Sequence, residues 1–213
     1  MNLFQYCLEN YGYDEPILAE KLQSDSNLTI KDSTLRMNLK RLADEGRIKR
    51  YARGIYFIPQ PNSLLKNQTL SINKVIRKKY LYDGSKPIGY QTGIAFANQL
   101  NLTAQTAGMI EIVTNKETNI KRSTKINDWQ ITLRKPRSEI KKDNIKVLQV
   151  LDLLNNFEKI SEKSLEKSSV AIIDYMNDAK IGKKELNKIL FNYPKNTIIK
   201  VNESGVYDAL TQG

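Results

Sequence analysis

The stretch Ser33–Glu45 constrains this chain more than any other. Leu35, Leu39 and Leu42 recur at i, i+4 and i+7, so a helix places all three on one face, which must pack into a core. Asp32 or Ser33 offers an N-cap and Gly46 a stop. The flanking segments supply partners for the leucine face. Asn2–Tyr11 carries Leu3, Phe4, Cys7 and Leu8 at helical spacing and ends at Gly12. Pro16 suits the first turn of a short helix over Ile17–Leu22, and the polar run Gln23–Leu28 leads into the leucine helix. Two β-prone runs follow, Ile48–Tyr51 and Ile55–Ile58, joined by Ala52-Arg53-Gly54. The order of three helices and a hairpin predicts a winged helix-turn-helix over residues 1–62. The run Pro59-Gln60-Pro61-Asn62-Ser63 marks a domain junction, because prolines end a strand and do not begin a helix cleanly.

At about 100° per residue, the face opposite the leucines holds Ser33, Arg36, Met37, Lys40, Arg41 and Asp44. A recognition helix in a major groove has this build: apolar residues behind, and donors in front for base edges and phosphates. The span Lys31–Arg53 contains eight basic residues and three acidic ones, a net of +5. A hairpin with basic residues at its tip can follow the sugar-phosphate backbone or enter the minor groove. The expected DNA-facing set is Ser33, Thr34, Arg36, Met37, Lys40 and Arg41 on the helix, with Lys49, Arg50 and Arg53 on the hairpin. The competing reading is a solvated basic helix and an ordinary turn.

The whole chain of 213 residues shares the bias, with a net charge of +11 that favours polyanionic partners. It contains no histidine and one cysteine, Cys7. Ser-His-Asp and Cys-His catalysis is therefore excluded, as are zinc fingers and an internal disulfide. Cys7 reads as a small core residue, and the low cysteine count fits a cytoplasmic location. No signal peptide is legible at the N-terminus, and no apolar run is long enough to span a bilayer. Neither a metal site nor a cofactor site is expected, and no membrane partner.

Residues 63–213 read as a mixed α/β domain with a helical C-terminal part, giving an α+β chain overall. Leu70–Tyr80, Tyr90–Leu100 and an amphipathic Asn144–Phe157 are expected helices. Met109–Thr114 and Trp129–Arg134 are expected strands, and the tail holds helices over Ser168–Asn177 and Lys183–Asn192, then a last turn or two between Asn196 and Leu210. Residues 115–146 hold ten basic residues against four acidic ones. Lys121, Arg122, Lys125, Arg134, Lys135 and Arg137 within this run form either a second nucleic-acid surface or a solvated hairpin. Trp129 can stack on a base, but its place at a strand start favours the core. Tyr90-Gln91-Thr92-Gly93 at a helix start suits an anion or simple capping. An enzyme would need paired carboxylates for Mg²⁺. Asp83-Gly84-Ser85 lacks a following Asp-x-Asp pair, and Asp174 and Asp178 read as a solvated helix edge. The chain is therefore expected not to be an enzyme.

The run Ser33-Thr34-Leu35-Arg36-Met37-Asn38-Leu39-Lys40-Arg41-Leu42-Ala43-Asp44-Glu45-Gly46-Arg47-Ile48, followed by Arg53-Gly54-Ile55-Tyr56, resembles the N-terminal winged helix of the AbiE-type abortive-infection antitoxins, the antitoxins of bacterial type IV toxin–antitoxin systems. Pro87-Ile88-Gly89-Tyr90-Gln91-Thr92-Gly93 and the segment Trp129 to Leu133 resemble that family's second domain. The resemblance implies double-stranded DNA as a partner, in the form of repeats in the protein's own promoter. It also implies a cognate nucleotidyltransferase-like toxin, countered without a stable complex. A solitary winged-helix regulator with no antitoxin role is the alternative.

Overall fold

The computed structural model describes residues 2–64 and 67–211. Met1, and Leu65, Lys66, Gln212 and Gly213 of the segment 63–213, lie outside the described residues. The chain is mixed α+β, with eleven α-helices, one π-helical segment and three small sheets among the described residues. Its internal contacts divide it into two units, Met1–Lys79 and Tyr80–Gly213. That division lies beyond the Pro59–Ser63 junction and assigns residues 67–79 to the first unit.

In the first unit the leucine face finds its partners. Helix α1 (Leu3–Tyr11) starts where the Asn2 side chain accepts a hydrogen bond from the Phe4 amide at 3.0 Å. Strand β1 (Ile17–Leu18), α2 (Ala19–Gln23), α3 (Asp32–Asp44), β2 (Lys49–Ala52) and β3 (Ile55–Phe57) follow. The strands form an antiparallel sheet in the order β1-β3-β2. Leu35, Leu39 and Leu42 are buried in one cluster with Leu3, Tyr6, Cys7, Ile17, Leu22 and Ile48. The Tyr6 hydroxyl donates to the Asp25 carboxylate, which ties α1 to the turn between α2 and α3. Cys7 is buried, and burial pushes its thiol up to about 11.

Two local expectations change. Ile17–Leu22 is not one helix: Ile17 and Leu18 pair with Tyr56 and Ile55, and helix begins only at Ala19. Pairing with β3 buries both residues fully, which outweighs a weak helical preference. Neither Asp32 nor Ser33 caps α3. Lys31 occupies the N-cap position without a side-chain bond, and Asp32 lies in the first turn, where a carboxylate suits the helix dipole. The Gly46 stop is present, with φ of 72° and the Arg47 amide bonded back to the Leu42 carbonyl at 3.0 Å. Beyond the hairpin, Leu70–Tyr80 is a short α4 (Ile72–Ile76) that widens into the π-helix Arg77–Leu81.

The second unit is built on a four-stranded sheet of order β6-β7-β9-β8: Gly89–Thr92, Ile110–Thr114, Trp129–Arg134 and Arg122–Ile126. Strands β7 and β9 are parallel and the outer pairs antiparallel. A two-stranded β4 (Tyr82–Asp83) and β5 (Lys86–Pro87) precede it. Tyr90–Leu100 is not one helix. Tyr90 pairs with Val113 in β6, and α5 (Ile94–Gln99) begins after Gly93. Tyr90-Gln91-Thr92-Gly93 therefore runs from strand into the start of α5, where Gly93 is the N-cap and no side chain makes a capping bond. Strand β8, unread in the sequence, forms one edge of the sheet.

Helices α6 (Ile145–Asn155), α7 (Phe157–Ile160), α8 (Leu165–Tyr175), α9 (Lys183–Leu190), α10 (Lys195–Glu203) and α11 (Val206–Thr211) complete the unit. The expected amphipathic helix is α6, but every residue from Val147 to Leu154 is buried, so it is a central helix and not a surface one. The two polar residues in that buried stretch are satisfied. Gln149 donates to the Gln91 carbonyl at 2.7 Å, and Asp152 accepts from the hydroxyls of Tyr90 at 2.9 Å and Tyr193 at 3.2 Å. Among the described residues no helix is long and apolar enough to cross a membrane.

Candidate nucleic-acid interface

The leucine stripe fixes which way the rest of α3 points. With Leu35, Leu39 and Leu42 turned inward, Ser33, Thr34, Arg36, Met37, Lys40 and Arg41 are all exposed. On the hairpin, Arg50 and Arg53 are exposed and Lys49 is half-buried. The turn closes with Ala52 paired to Ile55, leaving Arg53-Gly54 as a two-residue tip. Gly54 has φ of 72°, a conformation that costs a side-chain-bearing residue energy, and its carbonyl accepts from the Ala19 amide at 2.9 Å. A register shift between Arg50 and Ala52 marks an irregularity that twists the strand just before the tip.

Five of the nine expected residues meet in one place. Arg36, Lys40, Lys49, Arg50 and Arg53 line an open groove of about 780 Å³ between α3, the hairpin and the start of α2. Glu20, Asp32 and Asp44 also line it, as does Lys79. Glu20 and Lys79 went unread in the sequence, since they come from distant segments and no motif links them. Arg41 turns to the other side of α3, lining a smaller hollow of about 260 Å³ with Asn38, Glu45 and Arg47. Ser33, Thr34 and Met37 line neither.

The cations are not equivalent. Arg36 forms a forked pair with Asp32, Nε to Oδ1 at 3.1 Å and Nη2 to Oδ2 at 2.9 Å. Arg41 lies 3.7 Å from Glu45. Arg47, counted in the basic run, sits 3.9 Å over the Phe4 ring and so braces α1. Among the described residues Lys40, Lys49, Arg50 and Arg53 have no ion pair, which leaves their charge available to a polyanion.

The second basic set is dispersed. Lys121 and Lys135 are exposed, and Lys125 lies 4.0 Å from Asp128. Arg122 bonds the buried Glu117 at 2.8 and 2.9 Å. Burial pushes the Glu117 carboxyl up, but the amides of Asn119 and Thr118 and the Arg122 guanidinium together hold it below its usual range. Arg134 lies 3.7 Å from the buried Asp152, and Arg137 stacks 5.2 Å from the Tyr193 ring and donates to the Asn192 carbonyl. Desolvation raises Asp152 despite the nearby Arg134 charge. Three of these six cations therefore serve the fold. Trp129, expected in the core, is half-exposed because it begins β9 where only Ile126 of the edge strand pairs with it. Asp178 pairs with Lys146 at 2.5 Å, and Asp174 is exposed. Among the described residues no cluster of acidic or sulfur ligands is arranged to hold a metal.

No protein-family model matches the chain, and no curated protein sequence matches it.

Proposed function

We propose that the first unit is a winged helix-turn-helix and that the protein is a DNA-binding transcriptional regulator acting on its own promoter. The observation that carries this reading is the convergence of Arg36 and Lys40 from α3 with Lys49, Arg50 and Arg53 from the hairpin on one groove. In this reading α2 and α3 form the helix-turn-helix, α3 enters the major groove, and the Arg53-Gly54 tip follows the adjacent backbone as the wing. A solvated basic helix would not require the hairpin cations to gather on the same side. The role is one of binding without catalysis, in the cytoplasm, with no cofactor.

The antitoxin role is supported by the resemblance of both segments to the AbiE-type antitoxins. The second unit would then counter a nucleotidyltransferase-like toxin without a stable complex. The dispersal of its basic residues argues against a second nucleic-acid surface there, because Arg122, Arg134 and Arg137 are committed to Glu117, Asp152 and Tyr193.

A gel-shift titration of the full chain on the DNA upstream of its gene, beside scrambled DNA, tests the regulator. The expected result is tighter binding to the upstream DNA. Equal affinity for both overturns autoregulation, and no binding to either overturns the winged-helix reading.

A further inference from the structure

We propose that Arg36 reads a guanine of a G·C base pair and that Asp32 is its positioning residue; this rests on the reading of α3 as a recognition helix. A guanidinium presents five N–H donors on two forked edges. Asp32 occupies the side-on edge, through Nε and Nη2. The end-on edge, formed by Nη1 and the second proton of Nη2, has no partner among the described residues, and Arg36 is largely solvent-exposed, with 72% of its side chain accessible. That edge matches the O6 and N7 acceptors of guanine in the major groove.

Two features select a base over a phosphate. The Asp32 carboxylate travels with the arginine, so a phosphate at the open edge would meet a second negative charge within a few ångströms. A G·C pair carries no such charge. It also presents the cytosine N4 amino group beside guanine O6, and a carboxylate accepts from that donor. The position along the helix agrees: Asp32 and Arg36 lie in the first two turns of α3, the part of a recognition helix that reaches base edges. The forked pair also fixes a long side chain before binding, which lowers the ordering cost of a geometrically demanding contact.

The test selects binding sites from a random-sequence duplex pool with the full-length wild type, Arg36→Ala and Asp32→Asn, so that no operator need be known. Both positions are exposed enough for the substitutions to spare the fold, which thermal melting checks. Wild type is expected to enrich sites with one invariant guanine. Arg36→Ala removes the fork and every donor with it, and that position becomes degenerate while the rest of the site is unchanged. Asp32→Asn weakens the preference for that guanine and raises affinity for scrambled DNA, since a negative charge leaves the interface. Replacing the guanine by 7-deazaguanine should then cost wild type roughly tenfold in affinity and Arg36→Ala about nothing. A guanine retained unchanged by Arg36→Ala overturns the assignment alone. A wild type that enriches no sequence overturns it together with the sequence-specific regulator. An Asp32→Asn protein that differs from wild type only in melting temperature would make the pair a helix brace, which also overturns the proposal.

Discussion

Replacing Arg50 and Arg53 together with alanine is expected to flatten the salt dependence of DNA binding. The magnitude follows from the ion-pair geometry of the first unit. Lys40, Lys49, Arg50 and Arg53 have no carboxylate partner among the described residues, whereas Arg36 and Arg41 are held by Asp32 and Glu45. Each phosphate neutralised on duplex DNA contributes about −0.9 to the slope of log K against log salt, so four available cations give about −3.6 per bound chain. Removing two leaves about −1.8. Between about 50 and 200 mM salt, wild type should lose roughly 150-fold in affinity and the double variant roughly 12-fold. Fluorescence anisotropy with a labelled duplex at several salt concentrations reads both slopes, and a melting curve checks that the two exposed substitutions leave the fold intact. A slope unchanged by the double substitution would refute the placement of the hairpin tip on the backbone. A wild-type slope near about −5.4 would mean that Arg36 and Arg41 leave their carboxylates for phosphates, contrary to the guanine assignment.

Two further outcomes test the frame behind the interface. Leu39→Ala removes a side chain that is 1% exposed in the first unit's core, and is expected to destabilise it by about 2–5 kcal/mol through the cavity it leaves; chemical denaturation followed by circular dichroism measures this, and a loss below about 1 kcal/mol would show that the leucine face is not core. Cys7, with its thiol near 11, holds far less thiolate at mildly alkaline pH than an ordinary cysteine. Its reaction with a disulfide reagent should be at least about 100-fold slower in the native protein than in denaturant and should accelerate as pH rises toward that value, so fast native labelling would contradict its burial.

Most of the basic face on α3 and the hairpin was legible in the order of the residues, because its logic is local. Three leucines at i, i+4 and i+7 determine which way a helix faces, and the exposed set Ser33 to Arg41 follows from that phase alone. Gly46 and Gly54 mark the helix end and the hairpin tip through backbone conformations that other residues resist, and both adopt φ of 72°. The burial of the lone cysteine was likewise readable from its apolar neighbours. Local signals misled wherever a distant partner decided the outcome. Ile17–Leu18 follows a proline suited to a helix start and Tyr90–Thr92 begins an expected helix, yet each becomes a strand because a strand far along the chain is there to pair with it. The spacing in Asn144–Phe157 marked a helix correctly but assigned it one apolar face, when every residue from Val147 to Leu154 is buried.

Charge divided along the same line. Sequence alone determined how many cations the chain carries, and that those between Lys31 and Arg53 cluster. Only the tertiary structure decided which are committed: Arg122, Arg134 and Arg137 are bound to groups from other elements, Arg47 lies over Phe4, and Lys40, Lys49, Arg50 and Arg53 have no ion pair among the described residues. The reason is physical. Backbone preference and side-chain phase act over a few residues and are written in the local order of the chain, whereas pairing of strands and neutralisation of charge depend on what folding brings within a few ångströms.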